Sequence, residues 1–232
     1  TSGGSYGTLI QNVQGQVQKG KRAALLYGGQ YSRAGGFSSL QGATIGGFGL
    51  ADGYLKYLLH LDDKDRHHLE LYAAATRERS AQTYLGLSEA DARMRPNERY
   101  LASERDSMAM ERTALRLAYT YNGKRGWFRA DLYRQDAHRN WYKLDRISDG
   151  TTALGIGTVL LNPTGYAAYY DALQGLNAEN FTADLKANNR YYRSQGLQVK
   201  SNHTRRLGEH LLRLESGARL HYDHADRFQR TD

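Results

Sequence analysis

The stretch that most constrains this chain runs from Glu111 to Leu144: ERTALRLAYTYN, then GKRG, then WFRADLYRQDAHRNWYKL. In its first arm Leu115, Leu117, Tyr119 and Tyr121 alternate with Ala114, Arg116, Ala118 and Thr120. A period of two marks a strand, because successive side chains point to opposite sides of it. Residues 122–126, NGKRG, form a short turn rich in residues that tolerate positive φ. Beyond it Phe128, Ala130 and Leu132 face one way and Arg129, Asp131 and Tyr133 the other. Both arms exceed the roughly five or six residues of an ordinary soluble strand. They reach the roughly nine to eleven that a tilted strand needs to cross a bilayer. The rest of the chain must accommodate a long hairpin with one apolar and one polar face.

Six further segments read as strands: 8–18, 22–32, 53–61, 67–78, 191–203 and 210–222. With the two arms of the hairpin the total is eight. Their connections run short, long, short, long, short, long, short. The long excursions cover 33–52, 79–107 and 145–189. Ser88-Glu89-Ala90-Asp91 reads as a capped helix start stopped by Pro96, and Asn162-Pro163 as a second cap ahead of GYAAYYDAL. Outer-membrane barrels place tight turns at one end and long loops at the other. The second strand face carries Glu70, Arg116, Arg129, Asp131, Arg213, Glu215 and Arg219. Such charges are costly in a dry core and cheap in a water-filled lumen. The expected fold is all-β: an antiparallel up-and-down transmembrane β-barrel segment of about eight strands, with long extracellular loops and short periplasmic turns. One alternative is a small self-closed eight-stranded barrel of structural or adhesion role, which requires 8–18 to pair with 210–222. Another is a soluble carbohydrate-binding β-protein, which requires the apolar face to turn inward.

Composition narrows the function classes. Only 40% of the 232 residues are hydrophobic, while Tyr reaches 18 and Gly 25, so apolar side chains are spread by alternation rather than gathered in a thick core. No apolar run approaches the roughly twenty residues of a membrane helix. The absence of cysteine excludes disulfides and thiolate metal sites. The net charge of +8 is interleaved with acids, as in Asp62-Asp63-Lys64-Asp65-Arg66, so a solvated mixed-charge face is expected and no nucleic-acid partner. The chain opens on Thr1 without a signal peptide and reads as a processed product or an excised piece. No nucleophile motif, phosphate loop or carboxylate pair stands out, and no enzyme is expected. His67 and His68 fall on opposite strand faces, as do His221 and His224, so no metal site and no cofactor are expected.

Several segments carry a resemblance. GSYGT at 4–8, QTYLGLSEADARMRPNERYLASERDSM at 82–108, HRNWYKLD at 138–145, NNRYYRSQGLQ at 188–198 and DRFQR at 226–230 resemble the barrel of TonB-dependent outer-membrane receptors of the ferric dicitrate and siderophore type. The resemblance implies a location in the bacterial outer membrane and contact with outer-membrane lipid. It implies a transported cargo, ferric citrate or a ferric siderophore, and a TonB complex acting through a plug. The family's barrel has 22 strands, and the chain resembles only part of it, as a single partial-barrel domain over 1–232 in which plug and TonB box are not seen. In such a receptor guanidinium groups near the extracellular mouth suit an anionic chelate. The candidates are Arg77 and Arg79 at the top of one strand, Arg112 at the start of the next, and Arg139, Tyr142 and Lys143 where the hairpin enters its loop. The plainer alternative pairs these arginines with Glu78, Glu111 or Asp136. Tyr27, Tyr31, Trp127, Trp141 and Tyr222 are expected in interfacial aromatic belts.

Overall fold

A computed structural model describes residues 1–231. In chain order the strands are β1 (Ser2–Gly4), β2 (Thr8–Lys19), β3 (Ala23–Ala34), β4 (Ser38–Leu40), β5 (Ala43–Ile45), β6 (Phe48–His60) and β7 (His67–Ser80). After helix α1 (Glu89–Met94) come β8 (Ser107–Gly123), β9 (Gly126–Ser148) and β10 (Ala153–Gly155). Helices α2 (Ile156–Leu161) and α3 (Ala167–Gln174) precede β11 (Thr182–Leu207) and β12 (His210–Thr231). One antiparallel sheet runs β1-β2-β3-β6-β7-β8-β9-β11-β12, β10 adds to β9, and β4-β5 form a separate hairpin.

All eight expected strands are present, and most are longer than expected. β9 runs to Ser148 and β11 begins at Thr182, so both ends of the expected third loop are strand. The glycine-rich loop after β3 contains the β4-β5 hairpin. β2 pairs with β1 and β3, and β12 with β11 alone, so among the described residues the sheet does not close on itself. That overturns the self-closed eight-stranded alternative.

Register gives the faces a sharper definition than periodicity could. One cross-strand row reads Val17, Leu25, Tyr57, Leu71, Leu117, Leu132, Leu197, Leu220, apolar on every long strand. No other described residue covers it: Leu132 is 57% and Leu220 76% exposed. The soluble reading, which needs this face turned inward, fails on that observation. The opposite face is polar and more enclosed, the Glu70 side chain being only 12% exposed.

Tyrosine and glycine are abundant for a shared reason. Tyr27 lies across Gly15, Tyr54 across Gly28 and Tyr133 across Gly196, each so close that an added Cβ would meet the tyrosine side chain within 2.5–2.6 Å. Rings of this size need a neighbour without a side chain to lie flat along the sheet.

The four short connections, at 20–22, 61–66, 124–125 and 208–209, gather at one end, and the long ones at the other. There the loops build a cap with its own core: Leu144 and Ile147 of β9 meet Tyr100, Ile156, Val159, Ala172 and Leu173. Ser88 caps α1 as expected, its Oγ accepting from the Asp91 amide at 3.2 Å. Asn162 does not open a helix. It follows the end of α2, its side chain accepts from the Gly165 amide at 3.0 Å, and α3 starts later, at Ala167. Proline at 163 fits this turn as well as a first helical turn, so the dipeptide alone could not separate the two.

Candidate ligand-binding face

On the polar face the central charges neutralise one another. Lys56 lies 3.0 Å from Glu70, which also takes the Arg116 guanidinium, and Arg129 holds Asp131 through its Nε at 2.9 Å and its Nη2 at 2.8 Å. Farther along, His221 and Arg219 both approach the Tyr133 hydroxyl, and Ser194 donates to Asp223 at 2.6 Å.

Toward the capped end the pattern changes. Arg139 on β9, Arg190 on β11 and Arg227 on β12 stand directly opposite one another in one register row, with Met110 of β8 beside Arg139. Like charges directly opposite on a sheet are destabilising. None of the three has a carboxylate within ion-pair distance among the described residues. Arg190 donates to Asn188 Oδ1 at 2.9 Å and to the Tyr192 hydroxyl at 3.3 Å, both on its own strand. The Arg139 guanidinium lies 5.7 Å from the Trp141 ring centre, and its Nε is buried without a hydrogen-bond partner. Arg112 sits one row nearer the apolar band, on the same face, opposite Ala137. Lys143 continues the face toward the cap, its ammonium 3.5 Å from the Tyr84 ring centre.

The sequence candidates therefore divide. Arg112, Arg139 and Lys143 share the polar face. Arg77, Arg79 and Tyr142 lie on the other, because β7 and β9 reverse sides at every residue. Arg77 pairs with Glu111 at 3.2 Å, one of the pairings set against ligand contact. Arg79 and Tyr142 line a cleft of about 830 Å³ with Tyr31 and Arg33, away from the arginine row. The aromatic expectations also divide by parity. Tyr27, Tyr31 and Tyr222 are on the apolar face, whereas Trp127, opposite Asn122 and Asn202, and Trp141, opposite Met108 and Asn188, are on the polar one. Arg190 and Arg227 were not singled out from sequence. Their alternation was visible, but their meeting with Arg139 depends on a register that only pairing reveals.

The cap holds this end of the face in place. Asp91, 3% exposed, accepts from Tyr100 at 2.6 Å, from Tyr170, and from Arg95 at 3.1 Å. Burial raises its pKa, but these bonds outweigh burial and hold the carboxyl below the usual range. Asp106 goes the other way: burial pushes its pKa up despite bonds from Thr83 at 2.5 Å and the Leu144 amide at 2.7 Å. The Leu144 bond fixes β9 one residue beyond Lys143.

A single antiparallel sheet with one uncovered apolar row, one charged face and all its long loops at one end matches part of the β-barrel fold of TonB-dependent receptors. Solved structures bear this out. The ferric citrate transporter FecA in its unliganded form superposes with a TM-score of 0.68 at 12% identity, over 98% of this chain and 28% of that one. The ferric-catecholate import receptor Fiu of E. coli K12 in its closed form gives 0.62 at 7%, over 95% and 30%. The FpvAI chain of a complex with pyocin S2 gives 0.65 at 10%, over 98% and 27%. The chain thus spans less than a third of each of these three structures. No family profile matches it, and no curated protein matches it in sequence.

Proposed function

We propose that the chain is part of the barrel of a TonB-dependent receptor in the bacterial outer membrane, serving uptake of a ferric chelate, either ferric citrate or a ferric siderophore. The observation that carries this reading is the row Arg139–Arg190–Arg227, unpaired with any described carboxylate on a face whose central charges are matched. Three opposed guanidiniums ask for an anion, and an oxygen-rich ferric complex supplies acceptors for charge-assisted bonds. Arg112 and Lys143 extend the same cationic strip. The uncovered leucine row would meet lipid, and the polar face would line the lumen. The plug and its TonB contact would lie outside these residues. On this reading the chain performs no covalent chemistry. The likeness of fold to a ferric citrate transporter and a ferric-catecholate receptor supports the cargo class.

The test is Arg139→Ala in the intact receptor. Loss of one hydrogen bond to a charged group costs about 1.5–3 kcal/mol, so chelate affinity should fall roughly 10- to 150-fold. Binding and uptake of radiolabelled ferric citrate and of a ferric catecholate would be compared with wild type, with heat-modifiable gel mobility reporting the folded barrel. Unchanged affinity for both chelates would remove the arginine row from the binding site.

A further inference from the structure

At the opposite end of the sheet, near the short turns, two histidines and an aspartate converge. His60 ends β6 and His68 lies near the start of β7, and the two stand directly opposite in the register, on the polar face. Their rings are 4.6 Å apart, centre to centre, and meet edge to face. Asp65, in the turn between them, adopts φ of +57°, a conformation that L side chains seldom take without a local reason. Its carboxylate reaches His60 Nδ1 and lies 3.8 Å from His68 Nε2. The His68 Nε2 also faces the Asp65 carbonyl oxygen at 2.9 Å and the Asn122 side-chain amide at 3.1 Å.

We infer that His60, Asp65 and His68 form a binding site for a divalent transition-metal ion, zinc being the best fit, distinct from and independent of the chelate-binding reading above. The three ligand atoms lie within 4.8 Å of one another. A tetrahedral zinc with bonds of about 2.0–2.1 Å needs its ligand atoms about 3.3 Å apart. Side-chain rotations that part His60 from Asp65 and draw His68 inward bring the three to that spacing. Two imidazoles and one carboxylate are a donor set that zinc accepts, with a fourth position left for water. The Asn122 amide, turned to present its oxygen, or the Asp65 carbonyl could fill an outer place.

The neighbouring charges leave the three free for this role. Arg66 is held by Asp62 at 3.0 Å, and Arg22 is engaged by Asp63 at 2.5 Å. His67, on the other face, is occupied with the Tyr119 hydroxyl at 2.7 Å. No other group of this kind occurs among the described residues. The ion would join β6, the turn and β7 at one point. Its affinity would fall on acidification, since both imidazoles must be neutral to bind.

Zinc titration of the detergent-solubilised full receptor by calorimetry should show one site lost in His60→Ala and in His68→Ala. Each should weaken binding at least about 100-fold, beyond what loss of an outer hydrogen-bond partner causes. Cobalt(II) in place of zinc should give the visible absorption of a four-coordinate ion. His224→Ala should bind as wild type. Zinc-edge X-ray absorption on the unaltered protein, which does not depend on any variant folding, should show two imidazoles in the inner shell. Binding that survives both histidine substitutions, an inner shell of oxygen alone, or no binding at micromolar zinc would overturn the site. None of these outcomes bears on Arg139, so failure here and failure of the chelate reading are separately visible.

Discussion

At the scale of single residues, the arginine row has a cost as well as a use. Opposed guanidiniums on neighbouring strands repel, and no described carboxylate pairs with them. Arg190→Met keeps an unbranched apolar stem, though a shorter side chain, and removes one charge from the middle of the row. We expect the empty barrel to gain up to about 1 kcal/mol in stability, read from urea unfolding in detergent, while affinity for an anionic chelate drops. A variant that loses stability and keeps affinity would mean the row serves packing alone. Gly126 shows the reverse logic, a position with no latitude. A Cβ there would fall 1.9 Å from the Asn202 carbonyl oxygen, where β11 presses on the β8-β9 turn. Gly126→Ala should therefore destabilise by at least the roughly 1–3 kcal/mol typical of overpacking, as measured by the same unfolding midpoint.

At the scale of elements, the cap is the part that folds like a soluble protein. Its buried carboxylate, Asp91, ties α1 to Tyr100 and to Tyr170 of α3. Because its folded pKa is depressed, its contribution is fully present above the ordinary carboxylate value of about 4 and is lost as pH falls through the lower folded value. Asp106, raised by burial, contributes with the opposite sign and favours the fold as pH falls. The difference between wild type and Asp91→Asn isolates the first effect. At pH 7 the variant's cap should be less stable by about 1.5–3 kcal/mol, and the gap should narrow below pH 4. Hydrogen exchange of cap amides across that range would measure it. A constant gap would assign Asp91 no role beyond shape.

At the scale of the whole molecule, the leucine row sets the prediction. Leu132→Arg places a charge in the middle of the uncovered band, where such changes cost about 2–4 kcal/mol in a bilayer-embedded barrel. Tyr133→Arg, one residue away on the polar face, should cost less in lipid vesicles. Equal costs for the two would remove the bilayer from that face. Much of this level was legible in the sequence, because alternation at Leu115, Leu117 and Tyr119 depends only on the strand's own period. The alternation of short and long connections likewise gave the sheet its direction. What could not be read was anything that needs one strand's height against another's. Arg77 and Arg139 looked like neighbours near one mouth, yet parity puts them on opposite faces. Trp127 sits beside a turn, as a belt residue should, but its parity follows Arg129 rather than Phe128. His60 and His68 flank the turn at Asp62–Arg66 that the sequence shows, but that they stand directly opposite on one face depends on the register.

One margin of the sheet sets a condition on whatever adjoins it. Along the 22 residues of β12, only the side toward β11 is bonded among the described residues. On the free side alternate peptide groups point outward, and in hydrocarbon each one left unmet costs several kcal/mol. Neither an acyl chain nor a helix laid alongside offers matching donors and acceptors. On the outer-membrane reading proposed above, the seam accepts only another extended strand, and β2, at 12 residues, would leave much of it unmet.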